Sequence, residues 1–211
     1  MNSVKHEIAR RLLEVKAVRL QPTDPFTLAS GWKSPIYCDN RLTLSYPEVR
    51  AYISRALADL VRELYPEATM ICGVATGAIA SGVLVAEHLG LPFCYVRSKA
   101  KDHGRGNQIE GKVESGDKIV VVEDLISTGG SSLKAVAALR EAGLEVLGMV
   151  ANYTHQFAQA EQAFAEAGVE LHTLTNYDAL IEEAVRSGVV GTGELETLKE
   201  WRQAPDRWMK E

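Results

Sequence analysis

Hydrophobic positions along the chain follow two spacings, which together predict an alternating order of helices and strands. Apolar residues that recur about every 3.6 residues mark the helices, and short runs rich in β-branched residues mark buried strands. The predicted helices cover residues 4–18, 46–64, 77–88, 130–142 and 156–167. The predicted strands cover residues 70–74, 92–96, 119–124, 146–153 and 171–175. Strands that are apolar on both faces and alternate with helices are typical of a parallel sheet with helices on each side.

We therefore predict an α/β fold, a parallel twisted sheet flanked by helices, as one domain over residues 1–211. Residues 1–45 add a helix and an irregular segment that contains several prolines. Residues 97–117 form a long polar connection that is predicted to be mobile. Ligands of sheets of this kind bind at the carboxyl ends of the strands, so the functional residues are expected there.

Two local patterns give further detail. Ser45 and Glu48 have the spacing of a capping box and predict how the second helix begins. Near the end of the chain, Leu195, Leu198 and Trp201 form an apolar edge, which predicts a surface helix packed on the domain or on a partner.

Charge and cysteine content narrow the partners and the compartment. The chain has 23 Lys and Arg against 28 Asp and Glu, and its net charge of −5 argues against broad attraction to nucleic acid or anionic membranes. Three cysteines without CxxC spacing fit a reducing compartment, and the charged residues 1–20 do not resemble a signal peptide. The uncharged residues 68–86 contain three glycines and are interpreted as strand, turn and helix rather than a membrane span. We expect a cytoplasmic protein.

The most informative segment is IVVVEDLISTGGS, residues 119–131. The carboxylates of Glu123 and Asp124 are predicted to emerge at the end of a buried strand, where they could accept hydrogen bonds from the 2- and 3-hydroxyls of a ribose. The small residues that follow open a helix, and backbone N–H groups at a helix N-terminus favour phosphate. The predicted binding residues after the acids are Leu125, Ile126, Ser127, Thr128, Gly129, Gly130 and Ser131.

This turn differs from other phosphate-binding turns. It lacks the lysine of a P-loop, and its two glycines do not have the spacing of a dinucleotide-binding fingerprint. An ordinary strand-to-helix turn with solvated acids is the alternative. The whole segment, however, resembles the phosphoribosyl pyrophosphate motif of type I phosphoribosyltransferases in every position class. The resemblance implies that residues 127–131 bind the 5-phosphate and that Glu123 and Asp124 bind the ribose, with Asp124 a catalytic candidate.

A cation-rich loop follows the second predicted core strand. Its cations stand at alternate positions, so an extended loop could direct several of them to one side. They are Arg97, Lys99, Lys101, His103 and Arg105. A solvated charge run is the alternative interpretation. In phosphoribosyl transfer, cations that close over the departing diphosphate stabilise the transition state and exclude water.

The sequence RSKAKDHG in this loop resembles the catalytic loop of orotate phosphoribosyltransferases. The resemblance implies that Arg97, Lys101 and His103 bind the diphosphate and that Lys101 and His103 are catalytic. In that family the loop closes over the active site of the partner subunit, so the resemblance also implies a homodimer with shared active sites.

Residues 26–41 are similar to the N-terminal hood that holds orotate in the same family. The matching core positions are Ser30, Gly31, Ser34 and Pro35. Lys33 is interpreted as a contact of the orotate carboxylate or the diphosphate, with a merely solvated lysine as the alternative. Ala29 and Gly77 depart from the pattern, because some members carry diphosphate-binding lysines there. Residues 153–156 also lack an orotate-binding arginine found in some relatives, and no role is assigned to His155.

The resemblance implies transfer of the 5-phosphoribosyl group from phosphoribosyl pyrophosphate to orotate, on the way to UMP in pyrimidine biosynthesis. Mg²⁺ would be the cofactor, held mainly by substrate oxygens, so no protein metal site is predicted. A purine phosphoribosyltransferase and a regulator that binds the phosphoribosyl compound without catalysis are the alternatives. The segments SGWKSP and RSKAKDHG favour the orotate enzyme.

Overall fold

The computed structural model describes residues 2–28, 31–98 and 108–209, and these form one central sheet, two small two-stranded sheets and seven α-helices. The helices are α1 (Asn2–Glu14), α2 (Pro47–Leu64), α3 (Ile79–Leu89), α4 (Gly130–Glu141), α5 (Ala158–Glu166), α6 (Tyr177–Arg186) and α7 (Leu195–Gln203). The strands are β1 (Val18–Leu20), β2 (Phe26–Thr27), β3 (Lys33–Ser34), β4 (Ile36–Cys38), β5 (Met70–Val74), β6 (Phe93–Val96), β7 (Ile109–Glu110), β8 (Lys118–Ile126), β9 (Glu145–Thr154) and β10 (Leu171–Asn176). Short 3-10 helices cover Asn40–Ser45 and Thr192–Glu194.

The central sheet has the strand order β10-β9-β8-β5-β6-β7. All neighbouring strands run parallel except β6 and β7, which pair antiparallel at the edge. The predicted fold class, a parallel sheet flanked by helices, is therefore confirmed, with one antiparallel edge strand added. Because parallel strands end at the same edge, the segments after β5, β8 and β9 meet at one crevice.

The strand β8 lies at the centre because its side chains are apolar on both faces. Val120 and Val122 pack into the core beneath α1, α2 and α6, whereas Ile119 and Val121 pack into the core beneath α4 and α5. All four side chains are fully buried, and each contributes roughly 1.5–3 kcal/mol by leaving water. Burial on both faces holds the polar residues that follow in a rigid position.

The observed elements differ from the predicted ones in instructive places. The capping box is wrong: Tyr46 is the N-cap of α2 without a side-chain hydrogen bond, and Pro47 opens the helix instead. The strand β8 continues to Ile126, two residues beyond the predicted end, because its last residues pair with β9. Pairing of Leu125 and Ile126 with β9 therefore carries the strand past the two acids at its predicted end.

The helix α6 is absent from the predicted elements. It begins at an N-cap, Asn176, whose side chain accepts a hydrogen bond from the backbone N–H of Ala179 at 3.0 Å. None of the helices in the described residues combines the length and the apolar character needed to cross a membrane.

The irregular N-terminal segment contains two small antiparallel pairs, β1 with β4 and β2 with β3. The guanidinium of Arg19 lies over the rings of Phe26 and Tyr37, with 5.2 and 5.0 Å from its carbon to the ring centroids. These contacts fold the described residues 18–28 and 31–38 into one small layer, which we call the hood. Strands of two or three residues carry too little periodic signal to be predicted from sequence.

Candidate active site

The two acids of β8 have different environments. Glu123 is 5% exposed, and its carboxylate accepts hydrogen bonds from the hydroxyl of Ser132 at 2.8 Å and from the backbone N–H of Asp124 at 2.9 Å. Asp124 is partly exposed and faces the crevice. The two carboxyls line the same cavity and are close enough to interact, but they differ in burial. Glu123 is therefore a buried support, and Asp124 is the more accessible acid.

Burial raises the pKa of both acids. The pKa of Glu123 rises from 4.5 to about 8, first because the carboxyl is desolvated and second because the charge of Asp124 is close. Burial also raises the pKa of Asp124, although hydrogen bonds from its neighbours and the positive charge of Arg41 oppose the rise. A site that holds two carboxyls close together in this way favours a hydroxyl-rich or cationic ligand over another acid.

The turn after β8 has the geometry of a phosphate cradle. Gly129 adopts a φ of 79°, and a Cβ atom at this position would lie 2.7 Å from the ring of Phe164. The position therefore requires glycine. The next residue opens α4, so the first N–H groups of this helix point into the crevice without helical partners.

A second turn, after β5, forms the opposite wall. The backbone N–H of Ala75 donates to the carbonyl of Val96 at 2.9 Å, and the peptide bond between Ala75 and Thr76 is cis. Gly77 lies directly against Asp124: a Cβ atom at 77 would overlap the carboxylate and lie 2.9 Å from Oδ1. Some relatives carry a lysine where this chain has Gly77. In this chain, the absence of a side chain at Gly77 leaves the space that the carboxylate of Asp124 occupies.

The two turns and the two acids enclose one cavity of about 340 Å³, which we call the sugar-phosphate cavity. Its walls are Val74, Ala75, Thr76, Gly77, Glu123, Asp124, Leu125, Ser127, Thr128, Gly129, Ser131 and Ser132. The structure thus brings together most of the predicted residues of the segment 123–131. Ile126 is the exception among the side chains, since it is buried in the core beneath α4 and only its carbonyl is engaged, by the N–H of His155 at 3.0 Å.

Asn40 ties the segment after the hood to the acids. Its side-chain N–H donates to the backbone carbonyl of Asp124 at 2.7 Å, and the residue is 5% exposed. The hydroxyl of Thr43 donates in turn to the carbonyl of Asn40 at 2.6 Å. Asn40 was not predicted from the sequence, because its hydrogen bond to Asp124 joins residues 84 positions apart and no local sequence pattern indicates such a contact.

The predicted cations are less well placed in the described residues. Arg97 stands after β6 and pairs with Glu110 at 3.5 Å, and it does not line the sugar-phosphate cavity. The ammonium of Lys33 is exposed and donates to the hydroxyl of Thr27 at 2.8 Å. Lys101 and His103 lie outside the described residues, as do Lys99, Arg105, Ala29 and Ser30.

A second cavity of about 580 Å³ adjoins the first, and Leu125, Ser127 and Thr128 line both. We call it the hood cavity, because the hood forms one wall with Leu28, Trp32, Ser34, Ile36, Tyr37 and Cys38. The other walls come from the segment after β9, with His155, Phe157, Ala158 and Gln159, and from the C-terminal segment, with Trp201, Arg202, Gln203, Pro205 and Asp206. The C-terminal wall was missed: the apolar edge of α7 predicted a helix but carried no information about its location.

His155 lies in an aromatic cluster at the base of the hood cavity. Its Nδ1 is 3.2 Å from the hydroxyl of Tyr153, and its ring stacks on Phe157 and meets the edge of Trp201. Burial lowers the pKa of His155 to about 3, so the ring is neutral at physiological pH. No role was assigned to this residue from the sequence, and the structure makes it part of a cavity wall.

Comparisons with known proteins agree with one another. The model of the phosphoribosyl transferase domain family matches residues 44–167. An orotate phosphoribosyltransferase from Porphyromonas gingivalis is 58% identical over 208 residues, 99% of each chain, and one from Cytophaga hutchinsonii is 57% identical over 210 residues, 100% of each chain. The crystal structure of orotate phosphoribosyltransferase from Aeropyrum pernix is similar with a TM-score of 0.76 and 28% identity, covering 87% of this chain and 99% of that chain.

Proposed function

The chain belongs to the orotate phosphoribosyltransferases, and from this premise we propose how its two cavities carry the reaction of that family. The reaction transfers the 5-phosphoribosyl group from 5-phospho-α-D-ribose 1-diphosphate to orotate and gives orotidine 5-phosphate and diphosphate. The observation that carries the proposal is the junction of a cavity lined by acids and a phosphate turn with a second cavity beneath the hood. The two substrates need two adjoining sites.

The sugar substrate occupies the sugar-phosphate cavity in this proposal. The 5-phosphate accepts hydrogen bonds from backbone N–H groups between Leu125 and Ser131, where the helix terminus favours an anion. Asp124 accepts hydrogen bonds from the ribose hydroxyls, and Glu123 holds the backbone of Asp124 through its own carboxylate. The accessible acid then acts on the substrate and the buried one supports it.

Orotate occupies the hood cavity, next to the anomeric carbon of the bound sugar. A ring nitrogen of orotate forms a bond to C1 while the bond from C1 to the diphosphate oxygen breaks, and the diphosphate leaves with the bonding electrons. Orotate is anionic and needs little base catalysis, so positioning and electrostatics supply the acceleration. Lys33 adds a peripheral contact to orotate or the diphosphate.

The departing diphosphate is bound by Arg97, Lys101 and His103 in this proposal. Their positive charges stabilise the charge that develops in the transition state, and the part of the predicted loop 97–117 that precedes β7 excludes water when it covers the site, since Ile109 and Glu110 themselves pair with β6 in the central sheet. Support comes from the match of RSKAKDHG to the family's catalytic loop. We further propose that the loop serves the partner subunit of a homodimer, and that the chain is one domain.

Mg²⁺ fits this site as a partner of the substrate. The sugar-phosphate cavity offers carboxylate oxygens of Asp124 and Glu123, the type of ligand that Mg²⁺ prefers, while the described residues contain no cluster of three or more acidic, histidine or cysteine ligands. We therefore assign most of its ligands to substrate oxygens, with Asp124 the nearest protein candidate. When bound, the ion neutralises part of the diphosphate charge.

The state of the three cysteines bears on the cellular compartment in which the chain acts. Cys72 and Cys94 are neighbours across β5 and β6, and both are free, as is Cys38. Free thiols fit a reducing compartment, so we propose that the chain acts in the cytoplasm in the pathway to UMP.

The activity is tested by offering orotate, adenine, hypoxanthine and uracil in parallel, with release of diphosphate as the measurement. We expect release with orotate at least about a hundredfold faster than with the other three, because a site built to bind a charged substituent rejects analogues that lack it. Release with a purine instead would replace the proposed substrate. Release with none of the four would indicate a binding protein.

The assignment of Lys101 is tested by Lys101→Ala. We expect the turnover number to fall by about 10²–10³, the cost of removing one charge-stabilising donor, while binding of ribose 5-phosphate stays unchanged. Unchanged single-turnover chemistry would remove Lys101 from the mechanism.

A further inference from the structure

The hood cavity contains one Lys or Arg among its described wall residues, and this residue is Arg202 of α7. Orotate differs from uracil by a carboxylate, and a carboxylate that leaves water for a partly apolar cavity needs a charged hydrogen-bond partner. His155 cannot supply the charge, because burial lowers its pKa to about 3. The cavity therefore holds a single described candidate for this role.

The guanidinium of Arg202 is held in place but only partly used. Its Nη1 donates to Oδ1 of Asp178 at 2.6 Å, and its central carbon lies 5.6 Å from the centroid of the Tyr177 ring. In the described part of the chain it forms no other hydrogen bond, and its side chain is 31% exposed. A guanidinium has five donors in a planar fork, so donors remain for a planar carboxylate.

The fold fixes the position of Arg202 through the residues beside it. Trp201 is 4% exposed and packs edge-on against His155 and Phe157. The hydroxyl of Tyr177 donates to the carbonyl of Leu198 at 2.9 Å, and Leu198 is fully buried. These contacts clamp α7 against the end of β9, and Arg202, the next residue along the helix, lines both the hood cavity and the groove between α6 and α7 that contains Asp178.

One acid shares the cavity and opposes an anionic ligand. Asp206 lies in the same wall, but its side chain is 52% exposed and lies 4.0 Å from the guanidinium of Arg207. Solvent screens the charge of Asp206 more than that of Arg202, whose side chain is 31% exposed, although Asp178 at 2.6 Å offsets part of the Arg202 charge. An anionic ligand near α7 therefore shares the guanidinium of Arg202 with Asp178 and lies away from Asp206.

We propose that Arg202 determines the specificity for the base by binding the carboxylate of orotate from the C-terminal wall of the hood cavity. The inference deepens the proposed function and rests on it. It assigns a substrate contact to α7, a segment far from the phosphate turn in sequence, and it explains how a chain without an arginine at residues 153–156 can recognise the acid.

The test compares two nucleotides that differ only in this carboxylate, orotidine 5-phosphate and UMP. Calorimetry gives the dissociation constant of each for the wild-type chain and for Arg202→Gln. We expect the wild type to prefer orotidine 5-phosphate and the preference to fall about 10- to 100-fold in Arg202→Gln, through weaker binding of orotidine 5-phosphate alone. An unchanged preference would overturn the inference.

A structural role of Arg202 is distinguished by Asp178→Asn, which removes the partner of the guanidinium and keeps the guanidinium itself. If Arg202 only holds α7 in place, Arg202→Gln and Asp178→Asn both weaken the binding of the two nucleotides equally, and the inference fails. If Arg202 binds the carboxylate, Asp178→Asn changes the preference less than about threefold. Lys199→Gln, on α7 but outside the walls of the hood cavity, is the matched charge control.

Steady-state kinetics separate this inference from the proposed function. In Arg202→Gln we expect the KM of orotate to rise about 10- to 100-fold and the KM of the sugar substrate to stay within about threefold. A wild-type chain that releases no diphosphate with orotate overturns the proposed function and the inference together. An active wild type with an unchanged KM of orotate in the variant overturns the inference alone.

Discussion

The two cavities of the crevice are built in opposite ways. The sugar-phosphate cavity takes its acids and its phosphate turn from one continuous segment, residues 123–132, and a single short turn closes it. The hood cavity is assembled from several segments that lie far apart in sequence, with walls from residues 28, 32–38, 125–128, 155–159 and 201–206. The geometry of a site made by one continuous segment is set by the local fold of that segment. The geometry of a site made by several segments depends on how the segments pack against each other.

This difference predicts where function can vary. Backbone N–H groups and adjacent acids bind a sugar phosphate irrespective of the base, so the first cavity suits a substrate that many enzymes share. The second cavity recognises the base through side chains from separate walls, and each wall can change without disturbing the others. Specificity is therefore expected to reside in the hood and in α7.

The largest effect is expected from Gly77→Ala, which perturbs the sugar-phosphate cavity alone. The added Cβ atom would overlap the carboxylate of Asp124, and this side chain must then move away from the ribose. We expect kcat/KM for the sugar substrate to fall about a hundredfold, while the KM of orotate changes less than about threefold. Steady-state kinetics with each substrate varied in turn measure both values.

The matched control is Gly193→Ala, because a Cβ atom at Gly193 meets no atom within 4 Å. It should leave both kinetic values unchanged. If Gly77→Ala proved as active as the wild type, Asp124 would not be positioned by the turn after β5, and the two walls of this cavity would act independently.

A smaller effect is expected from Asn40→Ala, which breaks the link between the two regions. The variant removes the 2.7 Å hydrogen bond to the carbonyl of Asp124 and leaves that carbonyl buried. We expect kcat/KM to fall about tenfold for both substrates, because the segment after the hood and Asp124 are then no longer held in a fixed position relative to each other. Both values come from the same kinetic measurements.

The control for Asn40→Ala is Thr43→Val, which removes the 2.6 Å hydrogen bond to the carbonyl of Asn40 without touching Asp124. Both variants should lower the melting temperature by a few degrees, since each loses one buried hydrogen bond. Only Asn40→Ala should lower kcat/KM. Equal activity losses in the two would reduce Asn40 to a structural residue of this turn.

More residues of the sugar-phosphate cavity than of the hood cavity could be predicted from the sequence, because only local patterns are visible there. The apolar run and the glycines of residues 119–131 predict a strand, a turn and a helix locally, so the sugar-phosphate residues could be named. Asn40 and Arg202 act through contacts across the fold, and periodicity contains no information on such contacts. The pairing of the hood strands was missed as well, because pairs of two or three residues leave no pattern in the sequence.

The next prediction concerns the cost of burying Glu123. Because burial raises the pKa of Glu123 to about 8, the folded chain binds more protons than the unfolded chain between about pH 4.5 and 8. This carboxyl therefore destabilises the fold progressively as the pH rises through that window. The neutral side chain of Glu123→Gln should remove the effect.

We expect the melting temperature of Glu123→Gln, relative to that of the wild type, to be about 3 °C higher at pH 8 than at pH 5, on the order of 1 kcal/mol. Scanning calorimetry at the two pH values measures the difference. Glu200→Gln, an exposed acid on α7, is the control and should show no such change. A difference of the opposite sign would mean that Glu123 is stabilised as a carboxylate by its two hydrogen bonds.

The smallest effect is expected from Lys33→Ala on the edge of the hood. The ammonium of Lys33 is exposed and already donates to Thr27, so it must leave this partner to reach a substrate, and solvent screens its charge. We expect the KM of orotate to rise about threefold or less, compared with 10- to 100-fold for Arg202→Gln. A larger loss in Lys33→Ala than in Arg202→Gln would place the recognition of the carboxylate on the hood and remove it from α7. The two variants together therefore decide which wall of the hood cavity carries the charge that selects the base.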